Sequence, residues 1–133
     1  MIVLGRDVVA RLVESDQMVV QHLQQYSSEE WTTPPLVAWE SYKAQDSRTG
    51  VQRTRTVLRS NFDRIIDFSD DTALEAAYLD EKLRSQGVTL PTVDLLHLAA
   101  AHAEGGTFIT HDENDFDKPP LHDLVNVDVI HSA

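Results

Sequence analysis

Residues 91–117, PTVDLLHLAAAHAEGGTFITHDENDFD, decide the fold. Pro91 suits the first turn of a helix, where its missing N–H leaves nothing unsatisfied, with Leu90 or Thr92 near the cap. Leu95, Leu98, Ala99 and His102 follow at helical spacing, and Gly105-Gly106 ends the run. Thr107, Phe108, Ile109 and Thr110 form a β-prone segment of the kind buried in a sheet. His111-Asp112-Glu113-Asn114-Asp115 begins at its carboxyl end. In open α/β sheets ligands bind outside that end of the strands. Asp94 lies in the first turn of the helix, so a helix packed antiparallel to the strand brings Asp94 and Asp112 to one rim. Two acids there are the makings of a metal site.

The surrounding composition bounds what such a site can belong to. A chain of 133 residues is expected to form a single domain, residues 1–133, with a substantial core. With no cysteine, a disulfide framework and a thiolate zinc site are both excluded, in keeping with a reducing cytoplasmic setting. No apolar run reaches the length of a membrane span, and MIVLGRDVV lacks the basic start and long apolar stretch of a signal peptide, so no membrane association is expected. Eleven Lys and Arg stand against 22 Asp and Glu, a formal charge of −11. A surface this acidic and lysine-poor suits concentrated salt, where screening is short-ranged, although any acidic soluble protein shares the balance.

Outward from the central unit, strands and helices alternate. Met1–Leu4 reads as a buried first strand, Gly5-Arg6 as a turn, and Asp7 as the N-cap of a helix over 8–13. Ser15 or Asp16 caps a second helix to Tyr26. Trp31–Thr33 is a short strand, and Pro34-Pro35 opens a helix carrying Trp39, Glu40 and Tyr42. Glu40 is either a rim carboxylate beside Lys43 or Lys82, or a third inward acid. Residues 47–61 contain no acid but hold Arg48, Arg53, Arg55 and Arg59. On a helix Arg48, Arg55 and Arg59 share one face, which is either a solvated stripe or a contact for RNA or an acidic partner. Ile65–Phe68 reads as a strand, 72–86 as a helix with Leu74, Ala77, Tyr78 and Leu83 inward, Gly87 as its stop, 116–123 as a Pro-Pro loop, and 125–130 as an edge strand. The alternation argues for an α/β domain with a mainly parallel central sheet flanked by helices.

In that order and spacing the chain resembles PIN domains, and in length the VapC toxins of toxin–antitoxin pairs. The carriers are IVLGRDVVARL, LVAWESYKA with Glu40, TVDLLHLAAAHAEGGTFITHDENDF with Asp94, Asp112 and Asp115, and the closing NVDVI. The resemblance implies a PIN-like three-layer sandwich and a Mg²⁺- or Mn²⁺-dependent endoribonuclease that acts on RNA, forms a homodimer and is held inactive by a cognate antitoxin. It further implies Asp94 and Asp112 as metal ligands, Glu40 as orienter of the attacking water or ligand of a second ion, and Asp115 as completing the catalytic rim. Gly5 departs from the pattern. Related chains carry a metal-binding aspartate there, followed by a small hydroxyl residue where this chain has Arg6, while Asp7 matches the acid that ties such sites together. A guanidinium beside the cluster is able to pair with a carboxylate in a cation's place. The alternative implied by Gly5 is a catalytically degraded PIN-like protein that acts by binding an antitoxin, RNA or another protein.

The chemistry of the acids is independent of the resemblance. Magnesium takes oxygen ligands and keeps several waters, so a nuclease needs convergent carboxylates and not histidines or thiols. The six histidines form neither HxxxH nor HExxH, which leaves His97, one turn from Asp94, and His111 as supporting groups. A phosphatase-like α/β hydrolase is a third reading, but it calls for a nucleophilic acid where Gly5 stands. Met18, Val19, Leu23 and Trp39 are the expected apolar face for a partner helix.

Overall fold

The computed structural model describes residues 1–131. Five short parallel strands, β1 (Ile2–Leu4), β2 (Trp31–Thr33), β3 (Arg64–Ile65), β4 (Thr107–Thr110) and β5 (Val127–Val129), form one sheet in the order β3-β2-β1-β4-β5. Helices α1 (Arg6–Val13), α2 (Gln17–Leu23), α3 (Pro35–Lys43) and α4 (Arg48–Asn61) belong to the first half of the chain. Helices α5 (Asp70–Ser85), α6 (Thr92–Ala103), α7 (Glu113–Phe116) and α8 (Pro119–Leu124) belong to the second. This is the α/β architecture with a parallel central sheet flanked by helices that the alternation of elements leads one to expect.

Side chains on successive strand residues point to opposite faces, which divides the core in two. Ile2, Leu4 and Ile109 pack with Val8, Val19, Val37 and Leu58 from the first four helices. Val3 and Phe108 pack with Leu79, Leu83, Leu98 and Leu121 from the others. On β2 the buried Thr32 and Thr33 hydroxyls donate to the carbonyls of Ile2 and Leu4, both at 2.9 Å, so these polar residues tie β2 to β1 and the bonds offset the desolvation of the hydroxyls. The strand order reverses between β1 and β4, and the carboxyl ends of those two strands, Gly5 and His111-Asp112, open onto that switch point.

Several local expectations change. The helix α1 starts at Arg6 with Gly5 in the capping position, one turn of side-chain capping being replaced by Asp7 accepting from the Val8 N–H. Strand β3 stops at Ile65, leaving Phe68 45% exposed. In α5 the buried positions are Thr72, Ala76, Leu79 and Leu83, whereas Leu74, Ala77 and Tyr78 face solvent. A capping box between Ser69 and Thr72 starts the helix. The Pro-Pro stretch is helical: Pro119 and Pro120 open α8, where neither needs an N–H. Val19 and Leu23 lie wholly in the core and are unavailable to a partner, while Trp39 is 51% exposed beneath the Lys43 ammonium.

Candidate metal and catalytic centre

Asp94 sits in the first turn of α6 and Asp112 follows β4, on the same rim of the sheet. Thr110, buried at the end of β4, accepts the Asp112 N–H through its hydroxyl at 3.1 Å. Asp112 then caps α7, its Oδ1 accepting the Asp115 N–H at 3.1 Å, and so fixes Asp115 on the next turn. One carboxylate oxygen from each of Asp94, Asp112 and Asp115 lies within 4.8 Å of the others. Three hard oxygens at this separation suit a divalent cation of the magnesium class. Their mutual repulsion shows in Asp94, whose carboxyl is pushed up to about 6 by burial first, then by a hydrogen bond shared with Asp115 and the charges of Asp115, Asp112 and Glu40.

Asp94 and Asp112 line a cleft of about 450 Å³ whose wall also includes Gly5, Arg6, Asp7, Arg11, His97 and Phe108. Asp7 bridges its two sides. Its Oδ1 accepts from Val8 and its Oδ2 from the His111 N–H at 3.0 Å, so the acid ties α1 to the loop after β4 and both its oxygens are engaged by backbone. His111 serves here through its main chain.

Glu40 is the site residue placed apart. It projects from α3 toward the cleft and its charge reaches Asp94, yet it is outside the triad. Its Oε1 pairs with His97 Nε2 at 2.8 Å and its Oε2 with Arg6 Nη1 at 3.4 Å. His97 is 3% exposed and its ring is shifted toward the neutral form, because burial outweighs the Glu40 carboxylate. In that form Nε2–H donates to Glu40 and Nδ1 is left without a partner. Arg48, Arg53, Arg55 and Arg59 all lie exposed on α4, away from the residues that line the cleft.

Gly5, directly after β1, lines the same cleft as Asp94 and Asp112. A Cβ there would lie 3.0 Å from Phe108 Cζ and 3.2 Å from the Ile109 carbonyl oxygen. The Phe108 ring therefore leans into the space beside the main chain of Gly5. The sequence places Phe108 and Thr110 only in the β-prone run before the acidic loop. The T-x-D spacing of Thr110 and Asp112 was the available signal for the second; for the first there was none, since its partner is far away in sequence.

The PIN domain family model matches residues 2–120, and the chain belongs to that family. Similar solved structures include VapBC2 from Rickettsia felis bound to a promoter DNA fragment, 18% identical over 100% of both chains with a TM-score of 0.77. A toxin–antitoxin complex from Klebsiella pneumoniae is 21% identical over 100% of both chains, with a TM-score of 0.78. VapBC-1 from nontypeable Haemophilus influenzae is 15% identical, covering 97% of this chain and 98% of its own, with a TM-score of 0.77. Among curated proteins no match was found. At these identities the likeness is one of fold.

Proposed function

We propose that the chain is a single PIN-like domain over residues 1–133 that acts as a metal-dependent endoribonuclease of the VapC toxin type, restrained by a cognate antitoxin. The observation that carries this reading is the convergence of Asp94, Asp112 and Asp115, within a family fold, at the switch point of a parallel sheet. These three residues are the ones that would hold Mg²⁺ or Mn²⁺. Such an ion, when bound, lowers the pKa of a coordinated water and offsets charge gathering on a phosphodiester. The protein's own part is to hold the oxygens in place: Thr110 fixes Asp112, Asp112 fixes Asp115, and Asp7 locks the loop that carries both.

Toxin–antitoxin complexes among the structural neighbours support an antitoxin as the partner. Arg48, Arg53, Arg55 and Arg59, which form no ion pair among the described residues, are the candidate contacts for RNA or for an acidic partner segment, and a homodimer is the expected assembly. No helix among the described residues is long and apolar enough to cross a membrane; a cytoplasmic setting is part of the proposal.

Gly5 favours a second reading, a PIN-like protein that has lost catalysis and works by binding. The two are separated by incubating RNA with the wild type and with Asp94→Asn, in Mn²⁺ and in EDTA, across a wide range of salt. Metal-dependent cleavage abolished by Asp94→Asn supports the nuclease. Binding without cleavage in either protein supports the second reading.

A further inference from the structure

Asp94 and Asp112 in the wall of the cleft, Asp115 grouped with them and Glu40 close enough for its charge to reach Asp94 all repel an approaching phosphodiester. One divalent ion offsets only part of that charge. Among the described residues two basic side chains line the cleft, Arg6 and Arg11. Arg11 is turned to Asp16 at 3.6 Å, as part of the junction between α1 and α2. Arg6 is different: it is the first residue of α1, its side chain is 69% exposed, and a single contact of 3.4 Å holds it to Glu40 Oε2. Glu40 is itself fixed from behind, 12% exposed and paired through its other oxygen with the buried His97. The chain His97–Glu40–Arg6 thus runs from the core to the mouth of the cleft and ends in a guanidinium with most of its five N–H groups uncommitted.

We propose that Arg6 is the residue that takes hold of the substrate phosphate, and that Glu40 acts as a positioning residue that aims it and not as a metal ligand. This rests on the ribonuclease reading and names the contact through which that site meets RNA. A planar guanidinium presents paired donors that match two phosphate oxygens, and an exposed pair with a carboxylate contributes little stability, so Arg6 exchanges partners readily when a phosphate arrives. Glu40 keeps the side chain over the cleft until then. One Glu40 oxygen is held by His97 and the other by Arg6, and neither belongs to the group that Asp94, Asp112 and Asp115 form.

Two titrations test this. The first uses Mn²⁺ alone, followed by calorimetry, with wild type, Arg6→Ala and Glu40→Gln. Both variants are expected to bind Mn²⁺ no more than threefold more weakly than wild type; a tenfold loss in Glu40→Gln would make Glu40 a ligand and overturn its assignment. The second follows the anisotropy of a labelled single-stranded RNA oligonucleotide in Ca²⁺, with the RNA checked for intactness. Arg6→Ala should weaken binding about tenfold and reduce the salt slope by about one phosphate contact, and Arg6→Lys should recover most of the loss. Arg6 is exposed, so these variants fold. Wild-type binding that Arg6→Ala leaves within twofold overturns the proposal while the ribonuclease reading stands. If the wild type neither binds RNA nor cleaves it in Mn²⁺ at any salt, both fall.

Discussion

Asp94 concentrates the electrostatic tension of the site in one carboxyl group. Its value of about 6 in the folded chain lies above the ordinary aspartate value of about 3.9. Between those values the folded state binds more protons than the unfolded one, so the contribution of Asp94 to stability is complete below pH 4 and is lost as pH rises through 6. In EDTA, Asp94→Asn should therefore be more stable than the wild type at pH 7, with the advantage shrinking toward pH 4; urea denaturation at both values measures it. A divalent ion must displace the same proton, so Mn²⁺ affinity should rise about tenfold from pH 5 to 7, and a flat profile would remove Asp94 from the ligands. Gly5 poses the opposite problem, a missing charge. Replacing it with Asp alone drives a Cβ to 3.0 Å from Phe108 Cζ and brings a new carboxylate toward Asp7. Such overpacking costs about 1–3 kcal/mol. The single variant Gly5→Asp should lose stability by that order, and Gly5→Asp with Phe108→Leu should regain part of it and bind Mn²⁺ more tightly than the wild type. Thermal melts and calorimetry on the two proteins decide whether the Phe108 ring is the obstacle.

At the scale of elements, the junction from β4 to α7 is the mechanical centre of the site. Thr110→Val keeps the shape of a buried residue and removes the acceptor of the Asp112 N–H. It should cost about 1–2 kcal/mol and weaken Mn²⁺ binding severalfold, because Asp112 in turn holds Asp115. Unchanged Mn²⁺ affinity would show that the α7 cap alone orients the acids. This junction was legible in the sequence because its signals are local: Pro91 opening a helix, Gly105 at a φ of +70° closing it, and a β-prone run feeding an acidic loop. Elements whose limits depend on distant packing were less so. The α5 face differs from the sequence reading since Leu74 and Tyr78 look inward by hydrophobicity, while packing against α6 and the sheet buries Leu79 and Leu83 beside Leu95, Leu98 and Phe108. Likewise nothing beside Glu40 in sequence announces His97 or Arg6, which reach it across 57 and 34 residues.

For the molecule as a whole, the excess of 22 acids over 11 bases sets how the fold responds to its medium. Some of that excess is balanced internally, as where Arg64 bridges Glu30 at 3.1 Å and Glu104 at 3.0 Å at the opposite end of the sheet from the cleft. Those contacts are exposed and contribute little individually. The remaining carboxylates repel one another over distances near the Debye length, which falls from about 10 Å at 0.1 M salt to about 3 Å at 1 M. Screening therefore removes more repulsion than attraction. The urea midpoint should rise between 0.1 and 1 M NaCl, by a stability gain on the order of 1 kcal/mol or roughly 0.5 M urea. The arginines of α4 provide the control, since Arg48, Arg55 and Arg59 form no ion pair among the described residues and offset the acidic field without a specific partner. Replacing all three with Gln takes the formal charge further negative, so the triple variant should be less stable than the wild type at 0.1 M and approach it at 1 M. A wild type that loses stability with added salt would mean that its ion pairs outweigh its net repulsion, and the acidic surface would then have no bearing on the salinity in which the protein works.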